Sequence, residues 1–124
     1  MEENYEEAIT LANQLYGEEH EETGEIWAAY ACALIDWYNA QPSRELLEKC
    51  KAAMEQALEC FQKNFGELHE QMEWVYLVMA DNYRKAGDKE NAKRYYDLAI
   101  RVLRENDYET DELEERVEEI LQGM

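Results

Sequence analysis

An all-α fold of stacked antiparallel helix pairs, about six helices ending in a C-terminal capping helix, is predicted by three features of the sequence. The first is composition: 46% of the 124 residues are hydrophobic, with nine Tyr and three Trp but only five Gly and one Pro. Such usage disfavours disorder and a turn-rich β architecture alike. The second is internal repetition. Tyr16-Gly17-Glu18-Glu19-His20 recurs as Phe65-Gly66-Glu67-Leu68-His69 at an offset of 49 residues, and Ala8-Ile9 and Ala57-Leu58 keep the same offset. The third is spacing, since apolar residues recur in steps of three and four, the period of a helix that buries one face.

Taken in order, these signals predict helices near residues 3–16, 20–38, 43–65, 69–86, 89–105 and 111–122. Gly17, Gly66 and Gly87 stand where helices should end, and Ser43, Asp88 and Thr110 stand where side chains can cap the helices that follow. The second copy of the repeat is the clearer: Tyr76, Met79, Ala80 and Tyr83 line one helix, and Ala92, Tyr96 and Ala99 line the next. The first copy places Trp27, Tyr30, Ala31 and Leu34 on one helix and Cys50, Met54, Ala57 and Leu58 on its partner. Two helices approach closely only where a small side chain faces a large one, so Ala80 and Ala99 read as sockets for neighbouring aromatics, and Ala31 and Ala57 are packing positions of the looser first copy.

The second helices of the two copies are offset by 42 residues rather than 49. Seven extra residues therefore lie between the helices of the first copy, and a loop inserted near residues 39–43 is expected to hold them. Val117, Ile120, Leu121 and Met124 repeat the first-helix spacing with Leu in the small-residue socket, as a capping helix does. The predicted organisation is one domain over 1–124: a partial repeat over 1–17, a repeat over 18–66, a second over 67–108 and a cap over 109–124.

This pattern, a large residue, a large-small pair and an aromatic on one helix, then small, aromatic and small on the next, resembles the tetratricopeptide repeat. The aromatic-Gly-x-x-His junction before each first helix resembles the kinesin-light-chain type, and more weakly the C-terminal helical domain of SET/MYND methyltransferases. The resemblance implies a concave groove lined by the first helices. Carried over by position, the groove takes Glu25, Ala28, Ala29, Cys32 and Asp36, then Trp74, Leu77, Val78, Asp81 and Lys85, then Glu115, Glu118, Glu119 and Gln122. Its middle is apolar and one end acidic. The Lys and Asn clamp that some relatives use for the carboxylate of heat-shock chaperones is missing, because Ala28, Cys32, Leu77 and Asp81 cannot supply it.

Charge narrows the partners. A formal net charge of −18 repels nucleic-acid phosphates and anionic membrane surfaces, so the expected partner is a protein or peptide that is apolar with basic residues. Nine acidic residues between Glu105 and Glu119 face one Arg116, and a basic cluster from Arg84 to Arg104 precedes them. In that cluster Lys89 and Lys93 share a helix face, where pairing with carboxylates such as Glu90 and Asp97 is the ordinary expectation.

No sequence motif points to catalysis, a metal or a cofactor. His20 and His69 hold the same place in the repeat and neither begins an H-E-x-x-H pattern, so both read as junction residues. Cys32, Cys50 and Cys60 form no C-x-x-C pair and read as reduced thiols. The N-terminus carries no secretory leader pattern and no stretch nears the roughly 18 apolar residues of a membrane span, which makes a cytoplasmic protein the expectation.

The function expected is a non-enzymatic binding scaffold. Alternatives are an architectural or oligomerising segment of a larger protein, an acidic chaperone for an apolar client segment and an acidic mimic of nucleic acid. Tyr5 aligns with Met54 and Tyr96, so the chain opens within a second-type helix whose uncovered edge predicts self-association as a route to the oligomerising role.

Overall fold

Six α-helices account for the regular structure of residues 2–124, which are those described by the computed structural model; of Glu2 only the backbone is described. They are α1 (Glu2–Leu15), α2 (Glu21–Ala40), α3 (Arg44–Phe65), α4 (Met72–Lys85), α5 (Lys89–Glu105) and α6 (Asp111–Gln122). Among the described residues there is no strand, and no helix is long and apolar enough to cross a membrane. The chain divides into two units, Met1–Gly66 and Glu67–Met124.

In unit 1, α2 packs on α3 along its length and on α1. The interface is built as the small-against-large rule requires. Ala31, Leu34 and Ile35 of α2 meet Cys50, Met54, Ala57 and Phe61 of α3, all buried. The closest approach is at Gly24, where a Cβ would lie 2.8 Å from the Cβ of Cys60 and 3.2 Å from the Phe61 ring. Only a residue without a side chain lets α2 and α3 meet there. From α1, Ile9 and Ala12 are buried, and Tyr5 stacks on Tyr30 at 5.4 Å between centroids.

In unit 2, α4 and α5 form the main pair and α6 packs on α5. Tyr95 lies against Tyr83 at 5.5 Å and Tyr76 at 6.2 Å between ring centroids, which fills the hairpin with aromatic surface. Ala80, Ala92 and Ala99 are fully buried beside these rings. Tyr96 donates to Asp81 Oδ1 at 2.6 Å, and burial together with that carboxylate pushes its phenol up to about 12. Val117 is the buried residue of α6.

The seven extra residues do not form a loop. The hairpin connections are Gln41–Ser43 in unit 1 and Ala86–Asp88 in unit 2, three residues each. At the 49-residue offset α2 runs four residues past the end of α4, and at the 42-residue offset α3 starts three residues before α5, which accounts for all seven. Residues 39 and 40, expected in the insertion, are helical, because Trp37, Tyr38, Leu46 and Leu47 continue the apolar face and are half-buried.

Capping follows the sequence signals in part. Ser43 accepts from Leu46 N at 3.5 Å and Asp88 from Asn91 N at 3.1 Å. Thr110 stands at the N-cap of α6 but makes no such bond; its hydroxyl donates to Glu114 Oε2 at 3.1 Å and accepts from Arg104 Nε at 3.3 Å. With a guanidinium and a carboxylate in reach, the hydroxyl is drawn from the backbone. The α4 helix starts later than the expected residue 69, because Met72 N donates to His69 O at 2.8 Å and Glu73 N to Glu70 O at 3.2 Å in a turn of the tighter kind.

Candidate functional site

The residues expected to line a groove fall on α2, α4 and α6. On α2, Glu25, Ala29 and Asp36 are exposed and Ala28 and Cys32 half-buried, in steps of three and four that keep them on one face. On α4, Trp74 is 36% exposed, Leu77 and Val78 are half-buried, and Asp81 and Lys85 are exposed. On α6, Glu115, Glu118, Glu119 and Gln122 are all exposed. Each helix thus presents its own strip, and none of the fourteen side chains is buried.

The packing set behaves oppositely. Tyr30, Ala31, Leu34, Ala57, Tyr76, Met79, Ala80, Tyr83, Ala92, Tyr96 and Ala99 are buried, whereas Trp27 is half-buried.

Electrostatics distinguishes the strips. Partial burial and then repulsion from Glu22 and Glu21 raise the Glu25 carboxyl above its ordinary value, so acidity is concentrated at the start of α2. Asp81 is differently placed: Tyr96 donates to it, and Arg84 Nε stands 3.6 Å away in the same helix. Its charge is partly committed inside unit 2. The basic cluster is similarly engaged, with Lys93 Nζ 2.7 Å from Asp97, Arg104 paired with Glu114, and the Arg94 guanidinium 5.6 Å from the centre of the Tyr95 ring.

Each first helix of the repeat is entered through the same joint. Gly17 and Gly66 adopt φ of 93° and 84°, a conformation other residues rarely take, and turn the chain out of the preceding helix. Three residues later His20 Nδ1 accepts from Glu22 N at 3.1 Å, and His69 Nδ1 accepts from Gln71 N at 3.0 Å. Both imidazoles therefore accept from a backbone N–H two residues on, His20 at the N-cap of α2 and His69 in the turn that precedes α4. Cys50 is equally structural: it donates to Ala31 O at 3.4 Å, and burial, with a smaller effect from Cys32, pushes it up to about 12, where it is a poor nucleophile.

One cavity touches the strips and another lies apart from them. Between α5 and α6 a cavity of about 430 Å³ has Ile100, Val117 and Leu121 as its apolar wall, and Glu118 and Gln122 are the members of the expected groove that reach it. A cavity of about 490 Å³ in unit 1 was not expected from the repeat pattern. It is bounded by α1, α2 and α3, with Trp27 and Tyr30 on one wall, Ala53 on another, and Glu6, Asn13 and Glu18 around it. The signal for it was in the sequence: at the 42-residue offset Ala53 stands where unit 2 has Tyr95.

Among the described residues no group of His, Cys, Asp and Glu is arranged to hold a metal. Comparison with curated proteins gives no match, nor does comparison with solved structures. The model of the tetratricopeptide repeat, a repeat that mediates protein–protein interaction, matches residues 43–105. With that match across half of the chain, and with helix pairs joined by three-residue turns and sealed by alanine sockets, the protein belongs to the tetratricopeptide repeat family.

Proposed function

We propose that this protein is a non-enzymatic, cytoplasmic scaffold that binds a protein segment combining apolar side chains with Lys or Arg. The observation that carries this reading is the exposure of Trp74, at 36%, beside half-buried Leu77 and Val78 on one face of α4. An aromatic anchor flanked by aliphatic groups is the kind of surface on which binding energy concentrates. Glu25, Asp36, Glu115, Glu118 and Glu119 are exposed carboxylates on the other strips, and the net charge of −18 adds a field that attracts basic segments. In unit 2 the α4 and α6 strips, and in unit 1 the α2 strip taken by itself, are the proposed peptide-binding surfaces of a kinesin-light-chain-like repeat.

A peptide array probed with the intact protein tests this. Peptides pairing aromatic or branched residues with Lys or Arg should be retained, and Trp74→Ala should weaken them at least about tenfold while the helical signal and cooperative melting persist. Retention of acidic peptides instead, or equal binding by the variant, would refute the assignment.

A second reading, an oligomerising segment, is favoured by α1 and the residue after it, where Leu11, Leu15 and Tyr16 are 54%, 67% and 52% exposed. Sedimentation over a concentration series separates the two: a monomer throughout removes the oligomerising role.

A further inference from the structure

We propose that the cavity of unit 1 is a second binding site, separate from the α4 strip, and that it takes the guanidinium of an arginine side chain carried by a protein partner. The cavity exists because a ring is missing. In unit 2, Tyr95 of α5 covers the α4 aromatics, and Tyr76 is fully buried. At the corresponding places in unit 1, Ala53 is too short to cover Trp27, which remains half-buried and faces about 490 Å³ of open space. That volume lies within the range of sites that enclose small groups.

The walls select the occupant. Asn13 Oδ1 is buried and has no hydrogen-bond partner, an acceptor whose desolvation is uncompensated. Glu6 and Glu18, also on the wall, are exposed carboxylates, so the space favours a cation. Lys49, a cation of the same wall, stands 3.4 Å from Glu45 in an ion pair along α3. A donor-rich cation able to lie flat on half-buried Trp27 meets these demands together, and a guanidinium does so better than an ammonium because its planar fork donates in several directions while its face stacks. Unit 2 contains the same combination internally: Arg94, equivalent to Ala52 of the cavity wall, places its guanidinium 5.6 Å from the centre of the Tyr95 ring. In unit 1 both the ring and the cation of that pair are replaced by alanine, and the partner would supply the cation.

The test is a titration of the intact protein with N-acetylarginine methylamide, followed by the Trp27 indole resonance, assigned by Trp27→Phe. The expected result is a saturable shift, at least about tenfold weaker for the isosteric uncharged citrulline compound. Ala53→Tyr, which restores the residue type of unit 2, should abolish the shift without lowering the melting temperature. Glu6→Gln with Glu18→Gln, both at the rim, should weaken it and serves if the tyrosine variant does not fold. Trp74→Ala should leave the titration unchanged, so this site and the α4 strip stand or fall separately. Equal binding of the citrulline compound, an unmoved Trp27 resonance, or undiminished binding by the rim variant would overturn the proposal.

Discussion

Units 1 and 2 use the same joint and fill it with different chemistry. In both, the turn that follows the junction glycine leaves carbonyls facing inward, and both find donors. Glu18 O accepts from Cys60 Sγ at 3.1 Å, whereas its equivalent Glu67 O accepts from Tyr76 Oη at 2.8 Å. One further donor is conserved in kind. Asn64 Nδ2 donates to Glu19 O at 2.6 Å and to Cys60 O at 2.7 Å; Asn106 Nδ2 donates to Leu68 O at 3.4 Å and to Val102 O at 2.7 Å. These asparagines are 42 residues apart and the outer carbonyls 49 apart, the two offsets of the repeat. The backbone geometry of the turn fixes which acceptors must be met, while the identity of the donor stays open. Interior filling differs more: three stacked tyrosines close unit 2, whereas unit 1 ends in Ala53 and a cavity.

The largest expected effect breaks this contrast at its centre. Tyr76→Ala removes a buried ring and strands Glu67 O, and should cost about 4 kcal/mol in chemical denaturation. The equivalent Trp27→Ala removes a half-buried ring beside an existing cavity and should cost only about 1–2 kcal/mol. Equal losses would mean that the two hairpins are filled alike.

Much of the fold was readable from residues such as Ala80, Ala99 and Tyr83, because small-against-large packing leaves a periodic trace along one helix. Gly24 was not readable: a glycine inside a helix gives no sign of whether it admits a neighbour or merely weakens the turn, and only the 2.8 Å approach to Cys60 decides. The clamps of Asn64 and Asn106 escaped for a related reason, since their partners are carbonyls and every residue offers one. Asn39, Pro42 and Ser43 favour turns and so predict a loop for the seven extra residues, whereas partial burial of Trp37 and Leu47 extends the helices instead. Of the candidate site, the surface strips follow from repeat position, but the unit 1 cavity needs a comparison between copies, Ala53 against Tyr95, that periodicity within one copy does not make.

Gly24→Ala sharpens the comparison at a second place. A Cβ inserted against Cys60 should destabilise by ~1–3 kcal/mol, while Glu73→Ala, at the corresponding position of α4, should stay within ~0.5 kcal/mol. Thermal melts of the two variants check this, and a neutral Gly24→Ala would show that α2 and α3 can separate without cost. The smallest effect is shared: Asn64→Ala and Asn106→Ala should each cost about 1 kcal/mol, most visibly as faster amide exchange at the adjoining turns. A loss confined to one of them would show that the joint is maintained in a single unit.

The lengthened α2–α3 hairpin has a design consequence. Four residues added to one rod and three to its partner are each within a residue of one turn, so the added segments rise by about 6 and 4.5 Å while side chains return to within about 40° and 60° of their former bearings. Growth by matched turns preserves the seam between the rods. Such a hairpin can be extended or trimmed one storey at a time, with Gln41–Ser43 carried along unchanged as its roof.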